Sequence, residues 1–526
     1  MTGVAECPVG AKTGGVSPRT AGAAAGAAAA AVALATAELV TVLTGPATGP
    51  LVAVGRVVVD NSPEPATAFA IAVFGVHDKT ALLVGTVVLL VGFAAALGAA
   101  AVDRRWVGLA GLAGFTAIGL AAALTRPEAT PAAAVPTLAG AAAALAGYVA
   151  LQARSAPQPA APAAGDPPAG AGGGTRRGFL GTAAVVLGGA ALAGLGGRWF
   201  ATQRDLSAAR AAVDLPAPVD PAAPVPAGAE LSLPDLASYV TGNDVFYRID
   251  TALVVPRVDP ETWQLRIGGR VRRPYTIDFA GLLSRPMIER YVTLACVSNE
   301  VGGSLVGNAR WLGVPVAELL AEAGPEPGAD QVVSRSVDGW TCGSPTSVLT
   351  DGRDALLAIG MNGEPLPLEH GFPVRMVVPG LYGYVSACKW ISEIELTSFD
   401  DYDAYWVPRG WAQQAPIKTQ SRIDTPRGRA AAGTVLVAGV AWAQHRGIAR
   451  VEVQVDGGAW LAAELADTVS ADTWRQWSWR WEGATPGGHQ LAVRATDTTG
   501  QIQPGERSPT APDGATGWHT VTVEVS

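Results

Sequence analysis

Cysteine, methionine and histidine are scarce in this chain: 526 residues contain four, four and five of them. The cysteines, Cys7, Cys296, Cys342 and Cys388, form no CxxC, no CxxCH and no regular spacing. Neither a disulfide scaffold, a zinc site nor a covalently attached haem is therefore indicated. Only His77 lies before residue 200, so no pair of imidazoles is available to hold a haem between N-terminal helices. Charge is also thin, at 16% of residues with a formal net charge of −8, and no Lys/Arg cluster sits beside aromatics. That leaves no electrostatic footprint for nucleic acid. What is abundant is apolar surface: 49% of residues are hydrophobic, which with this length points to several domains and a membrane portion.

Apolar stretches of the roughly 20 residues needed to cross a bilayer lie at about 21–43, 81–102, 106–125, 130–152 and 179–197. The run 81–101 contains no ionisable residue. A shorter run at 66–76 follows a turn-like Asn-Ser-Pro-Glu-Pro and reads as re-entrant or interfacial. Lys12, Arg19, Arg104, Arg105, Arg154, Arg176 and Arg177 fall on one side of five crossings, and Arg56, Lys79 and Arg126 on the other. Seven against three places the N-terminus in the cytoplasm and everything beyond residue 200 outside. Thr175-Arg176-Arg177-Gly178-Phe179-Leu180 before the last apolar run has the form of a twin-arginine signal, which exports folded proteins. Glu38, inside the first span, is either a functional residue or one facing a neighbouring helix.

The texture changes after a Pro/Ala-rich stretch at 214–229. Trp263-Gln-Leu-Arg-Ile-Gly-Gly alternates as a strand, Pro315 to Gly324 reads as a helix ended by glycine, and Phe372 to Val378 reads as a buried strand. Mixed elements of this kind predict an α+β or α/β domain. Beyond Thr425-Pro426 the pattern is all-β, with Val451–Gly458, the alternating Trp477, Trp479 and Trp481, Leu491–Ala495 and Val521–Val525. Short alternating strands at this spacing fit an immunoglobulin-like sandwich. The chain thus divides into a transmembrane region (1–200), a linker (201–232), a mixed domain (233–400), a connector (401–424) and a sandwich (425–526).

Several ordered motifs lie in 235–526: Phe246-Tyr247-Arg248, Val-Asp-Pro-Glu-Thr-Trp at 258–263, Ala-Cys296-Val-Ser-Asn299 and Ala309-Arg-Trp-Leu-Gly. Met361-Asn-Gly-Glu-Pro-Leu-Pro, His370-Gly-Phe-Pro-Val-Arg375, Val-Val-Pro-Gly at 377–380 and Lys389-Trp390 follow. Together they resemble the sulfite oxidase family of molybdopterin enzymes, catalytic domain and C-terminal dimerisation sandwich included. The vertebrate members carry a haem domain with no counterpart here, and the apolar leader marks a membrane-anchored bacterial branch.

The resemblance implies a molybdenum–molybdopterin cofactor, oxygen-atom transfer on a small oxyanion, an electron-transfer partner and a homodimer through the sandwich. It makes Cys296 the metal ligand, a role that suits a soft thiolate. His370 and Arg375 become contacts to the pterin phosphate or ring, with the planar guanidinium suited to phosphate oxygens. Lys389 adds a nearby charge, Tyr247 and Arg248 line the cofactor and anion pocket, and Asn299, Ser386 and Cys388 belong to the backbone around the pterin. Asp338 fits plain turn chemistry. Three departures stand out. Ile359 occupies the position of an active-site Tyr, Glu300 and Val301 stand where sulfite-oxidising members have an Arg, and 508–518 contains no Arg. A dianion pocket without those donors binds sulfite poorly, unless Tyr382 or Tyr384 supplies a hydroxyl. Reduction of an S-oxide or N-oxide on the same site is the alternative within this class. A membrane-tethered binding protein with a decayed catalytic domain is the alternative outside it. Cys342 and Cys388, in an oxidising compartment, are free to pair or not.

Overall fold

Alanine- and glycine-rich runs with no charge to solvate become helices that pack backbone to backbone. The structure, a computed structural model, describes residues 17–45, 48–63, 66, 69–70, 73–74, 78–126, 129–155 and 206–526. By its internal contacts the chain divides into units 1–205 and 206–526. In the first unit, helix α1 (Pro18–Thr44) starts at Ser17, whose hydroxyl accepts the Thr20 N–H, and stops at Gly45 with φ 98°. It is followed by α2 (Pro50–Asn61), α3 (Asp78–Ala101), α4 (Arg105–Leu124) and α5 (Ala134–Ser155). Four apolar segments, Pro18–Thr44, Lys79–Ala101, Arg105–Leu124 and Pro131–Val149, are long enough to cross a membrane. A Cβ on Gly26 would strike the Ala94 carbonyl, one on Gly98 the Gly22 carbonyl, and one on Gly140 the Ala33 carbonyl. Small residues therefore set how closely α1 approaches α3 and α5.

Helix α2 is absent from the sequence reading, which treats 44–80 as a loop bearing one short apolar piece. Twelve residues are too few to register as a span, yet Leu51, Val52, Ala53 and Gly55 bury one face of it. Glu38 faces Gly49, in the turn leading into α2. The fifth apolar run, the twin-arginine-like motif and Cys7 lie outside the described residues, as does most of 66–76.

In the second unit, strands β1 (Gln264–Gly269), β2 (Tyr275–Asp278), β3 (Ile288–Ala295), β4 (Val306–Pro315), β5 (Gln331–Ser336), β6 (Thr341–Pro345), β7 (Leu356–Met361), β8 (Glu364–Pro365), β9 (Arg375–Val377) and β10 (Ile391–Thr397) make two sheets. One has the order β2-β1-β10-β5-β6; the other is β3-β4-β7-β8, with β9 beside β7. Helix α6 (Val316–Ala323) ends on left-handed Gly324, as its sequence predicts, and buries Val316, Leu319, Leu320 and Ala323. The stretch 214–229, read from sequence as linker, is laid onto this domain. Val219 N–H donates to the Met287 carbonyl, Asp220 accepts from Glu289 N–H and pairs with Arg290, and Ala229 is fully buried. Proline-rich chain is already extended, so docking it costs little ordering entropy.

The third part of the fold holds β11 (Gln420–Thr425), β12 (Arg429–Ala430), β13 (Gly433–Trp442), β14 (Ile448–Val455), β15 (Leu461–Ala462), β16 (Glu464–Leu465), β17 (Arg475–Ala484), β18 (Gly487–Asp497) and β19 (His519–Val525). Two sheets, β11-β13-β17-β16 and β12-β19-β18-β14-β15, share one apolar core. The first strand begins at Gln420, several residues before Thr425-Pro426. Trp477, Trp479 and Trp481 point to one face of β17, where two-residue periodicity puts them. Gly439 lies across from Trp477 and against the Arg422 carbonyl, leaving no room for a side chain.

Asp497, at the end of β18, ties this part to the connector. Its Oδ2 accepts from Thr419 Oγ1 at 2.9 Å and Arg446 Nε at 2.8 Å, and its Oδ1 from Thr499 Oγ1 at 2.6 Å and Gln501 N at 3.0 Å. Burial alone would raise this carboxyl; the donors win and hold it at about 2. Asp497→Asn should cost on the order of 2–4 kcal/mol at pH 7. Because the native pKa is depressed, the wild-type advantage should shrink as pH falls from about 4 to 2. Thermal denaturation of both proteins across that range checks this, and a pH-independent gap would contradict it.

Candidate functional site

A sharp loop at the end of β3 delivers Cys296. Its N–H donates to the Leu305 carbonyl, Asn299 N–H donates back to the Cys296 carbonyl at 3.1 Å, and Asn299 Oδ1 accepts the Leu305 N–H at 2.8 Å. The loop 296–305 is thus closed on itself before β4 begins. It is also gripped from the sandwich: Arg422 Nη1 donates to the Gly303 carbonyl at 2.7 Å, and the His519 ring lies against Gly302. His519 Nδ1 accepts the Ile423 N–H at 2.9 Å, and burial with Arg422 nearby pushes its pKa down to about 4, so the ring is a neutral wedge.

Cys296 opens into a cleft lined by Phe246, Tyr247, Asp250, Thr251, Ser298, Arg375 and Lys389, with Trp340, Trp390, Trp406, Trp411 and Tyr384 on its other walls. Burial raises the Cys296 thiol, while the Ser298 N–H and hydroxyl and the Lys389 ammonium pull it back by favouring the thiolate. Tyr247 stacks on Phe246 at 5.2 Å, and burial followed by the neighbouring Cys296 raises its phenol well above the ordinary value. Phe246 in turn meets the His370 ring edge-on at 5.5 Å and Trp311 at 5.8 Å. Gly307 leaves the space that the Phe246 ring takes.

Arg375, on β9, is 4% exposed. Its Nη1 donates to the His370 carbonyl at 3.1 Å and its guanidinium lies 5.1 Å from the Trp311 ring. Among the described residues no carboxylate pairs with it, and burial lowers its pKa to about 10, still above neutral pH. Thr251 Oγ1, in the same cleft, is buried with no hydrogen-bond partner. A buried cation without a counter-ion, beside an unsatisfied hydroxyl, is the chemistry of a site shaped for an anion. Lys389 differs. Its Nζ donates to Asp250 Oδ2 and to the Glu369 carbonyl, both at 2.9 Å, and burial lowers it to about 8 against the pull of Asp250. Arg248 Nε reaches the same Asp250 Oδ2 at 2.9 Å from a more exposed position.

Of the residues singled out in the sequence, Cys296, Tyr247, Arg375 and Lys389 line the cleft. Arg248 and His370 stand just behind, joined through Asp250 and through Phe246 and Arg375. Asn299 is the latch of the Cys296 loop, outside the cleft lining. Ser386 Oγ is spent on the Leu381 and Tyr382 carbonyls. Cys388 is fully buried beside Cys342, and both are free thiols. None of the Asn299, Ser386 and Cys388 side chains lines the cleft. Ile359 packs in the main core and does not line the cleft. Tyr384 does line it, but its hydroxyl donates to the Ala412 carbonyl at 2.7 Å; the Tyr382 hydroxyl sits against Gly514. Asp338 lines the cleft and also accepts the Trp340 N–H, so its turn role holds. Asp250, Thr251, Trp340, Trp406 and Trp411 escaped the sequence reading; the spacing of Trp406 and Trp411 along the connector is the one signal for those two, and Asp250 and Thr251 carry none.

The family model of the oxidoreductase molybdopterin binding domain matches residues 252–406. Sulfite oxidase of Gallus gallus is 30% identical over 324 residues, covering 52% of this chain and 69% of that one. Mitochondrial sulfite oxidase of Homo sapiens is 29% identical over 343 residues, covering 55% and 62%. An uncharacterised oxidoreductase of Bacillus subtilis is 33% identical over 153 residues, covering 29% and 74%. Among solved structures, the sulfane dehydrogenase SoxCD of Paracoccus pantotrophus aligns at 23% identity and TM-score 0.47, covering 56% of this chain and 86% of that one.

The position of His370 gives a direct check on the geometry. Its Nε2 lies 3.0 Å from the Asn243 carbonyl, which it meets as a donor, and burial with Arg375 and Lys389 nearby lowers its pKa to about 4. Histidine-labelled NMR, assigned with His370→Gln, should show this ring neutral from pH 8 down to 5. A titration midpoint at or above 6 would contradict the arrangement.

Proposed function

Because the chain belongs to the sulfite oxidase family of molybdopterin-dependent oxidoreductases, we propose that it is a membrane-anchored, extracytoplasmic enzyme transferring an oxygen atom at a molybdenum held by the Cys296 thiolate. The cofactor is molybdenum–molybdopterin, which supplies the oxygen-atom and electron-transfer chemistry when bound. The chain's residues fit it. Arg375 offers a buried, unpaired guanidinium to a phosphate, and Thr251 Oγ1 offers an unused donor. Lys389 is held in place by Asp250, and Tyr247 shares the cleft with Cys296 and Arg375 and feels both. Ser298 steadies the sulfur in its charged form.

The observation that carries this reading is the convergence of Cys296 and the counter-ion-free Arg375 on one cleft. The family membership leaves little room for a tethered binding protein with a decayed catalytic domain. The apolar helices support a membrane anchor, and the seven-to-three split of Lys and Arg supports a catalytic unit outside. We read the nine-strand C-terminal part as an immunoglobulin-like dimerisation domain, and an electron-transfer partner as required. We favour reduction of an S-oxide or N-oxide over sulfite oxidation because Ile359, Glu300, Val301 and 508–518 supply no phenol or Arg where sulfite-oxidising members are expected to carry them.

Two measurements test the reading. Full-length protein exported through its own leader should carry about one molybdenum per chain, and Cys296→Ser should lower dye-linked turnover by on the order of a hundredfold or more; full activity in that variant would overturn the ligand assignment. For topology, Arg480→Cys places a thiol on an exposed strand position while Cys296, Cys342 and Cys388 are buried. A membrane-impermeant maleimide should label it in intact cells. Labelling only after lysis would put the catalytic unit on the cytoplasmic side.

A further inference from the structure

We propose that the rim of the cleft is a specificity surface: Trp340, Trp406, Trp411 and Tyr384 form an aromatic wall that takes the apolar substituent of an organic sulfur compound, an aryl sulfoxide or its sulfide. This rests on the reading of the cleft as the site of oxygen transfer, and it names the substrate class that site selects.

The three indoles of the wall are more exposed than the charged floor, and Tyr384, at 8%, lies as deep as Cys296. Cys296, Arg375 and Lys389 are 8%, 4% and 9% exposed, whereas Trp340, Trp406 and Trp411 are half-buried and Ile249, also on the lining, is 49% exposed. The rings are arranged for contact: Trp406 and Trp411 lie 6.1 Å apart at 72°, and Tyr384 and Trp411 5.6 Å apart at 55°. All three rings line the cleft, so its wall is an aromatic surface.

The wall is also rigid. Trp406 and Trp411 come from the connector between the catalytic domain and the sandwich, a stretch with little regular structure of its own. It is pinned on both sides. The Tyr384 hydroxyl donates to the Ala412 carbonyl at 2.7 Å, Ala412 N–H donates to the Pro512 carbonyl at 3.0 Å, and Tyr382 N–H donates to the Ala415 carbonyl at 3.0 Å. An aromatic surface held this way costs little to order on binding.

Charge completes the argument. Among the cations at the cleft, Lys389 and Arg248 share Asp250, and Arg375 lies deep at the floor. Asp338 also lines the cleft. An aryl group entering the cleft gains burial against the indoles. The chemistry balances as sulfide plus water giving sulfoxide plus two protons and two electrons, in either direction. A one-electron dye carries the electrons in the test.

Molybdenum-replete full-length protein should be assayed with methyl phenyl sulfoxide and dimethyl sulfoxide under reduced viologen, and with sulfite under ferricyanide. The aryl sulfoxide should exceed dimethyl sulfoxide in kcat/KM by on the order of tenfold or more. Trp411→Ala and Trp406→Ala should each bring that ratio close to one, mainly through KM, at unchanged molybdenum content. Calorimetric binding of methyl phenyl sulfone, which needs no turnover, should weaken by roughly tenfold in the same variants. Should one variant fail to fold, the other and the wild-type ratio still decide. Efficient sulfite turnover with equal use of both sulfoxides, or variants that keep the wild-type ratio, would overturn the wall and leave the oxygen-transfer reading standing. Loaded protein inert on all three substrates would overturn both.

Discussion

Arg375 is a full positive charge enclosed by carbonyls and the face of Trp311, with no carboxylate beside it among the described residues. A cation buried in that way is costly unless something negative joins it. The surrounding architecture can be understood as what keeps this charge buried. Strand β9 carries it beside β7, the His370 turn gives it a carbonyl, and Phe246 seals the space between His370 and Trp311. On the proposed reading, the anion that satisfies it comes with the cofactor, and cofactor retention and local stability are then one property of this site.

Cys296 depends on a second constraint, the closure of its loop from two directions. Asn299 latches the loop from within, while Arg422 and the neutral His519 hold it from the sandwich. The C-terminal sheets are thereby mechanical neighbours of Cys296. Asp497, through Thr419 and Arg446, anchors the connector that spans the two parts and carries Trp406 and Trp411. Sulfur position and cleft wall therefore both rest on how the sandwich is seated.

Much of this was legible in the sequence. The α6 stop at Gly324, the β1 strand after Trp263 and the one-sided Trp477, Trp479 and Trp481 follow from periodicity and turn chemistry, which are local. Cys296, Tyr247, Arg375 and Lys389 were legible through motifs that keep their order along the chain. Asn299, Ser386 and Cys388 lie within the same motifs, and their side chains bond the Cys296 loop, bond nearby carbonyls and fill the core; a motif reports neighbourhood and not side-chain direction. Helix α2 was too short to register as a span. Trp406 and Trp411 lie more than a hundred residues from Cys296 in a connector without periodicity, so only the tertiary fold brings them to the cleft.

The central claim is that the Cys296 sulfur is bonded to molybdenum. X-ray absorption at the molybdenum edge measures it most directly, comparing wild-type and Cys296→Ser protein loaded with cofactor. The account predicts one fewer sulfur neighbour at the metal in the variant. An unchanged sulfur count would show that Cys296 lines the cleft without holding the metal.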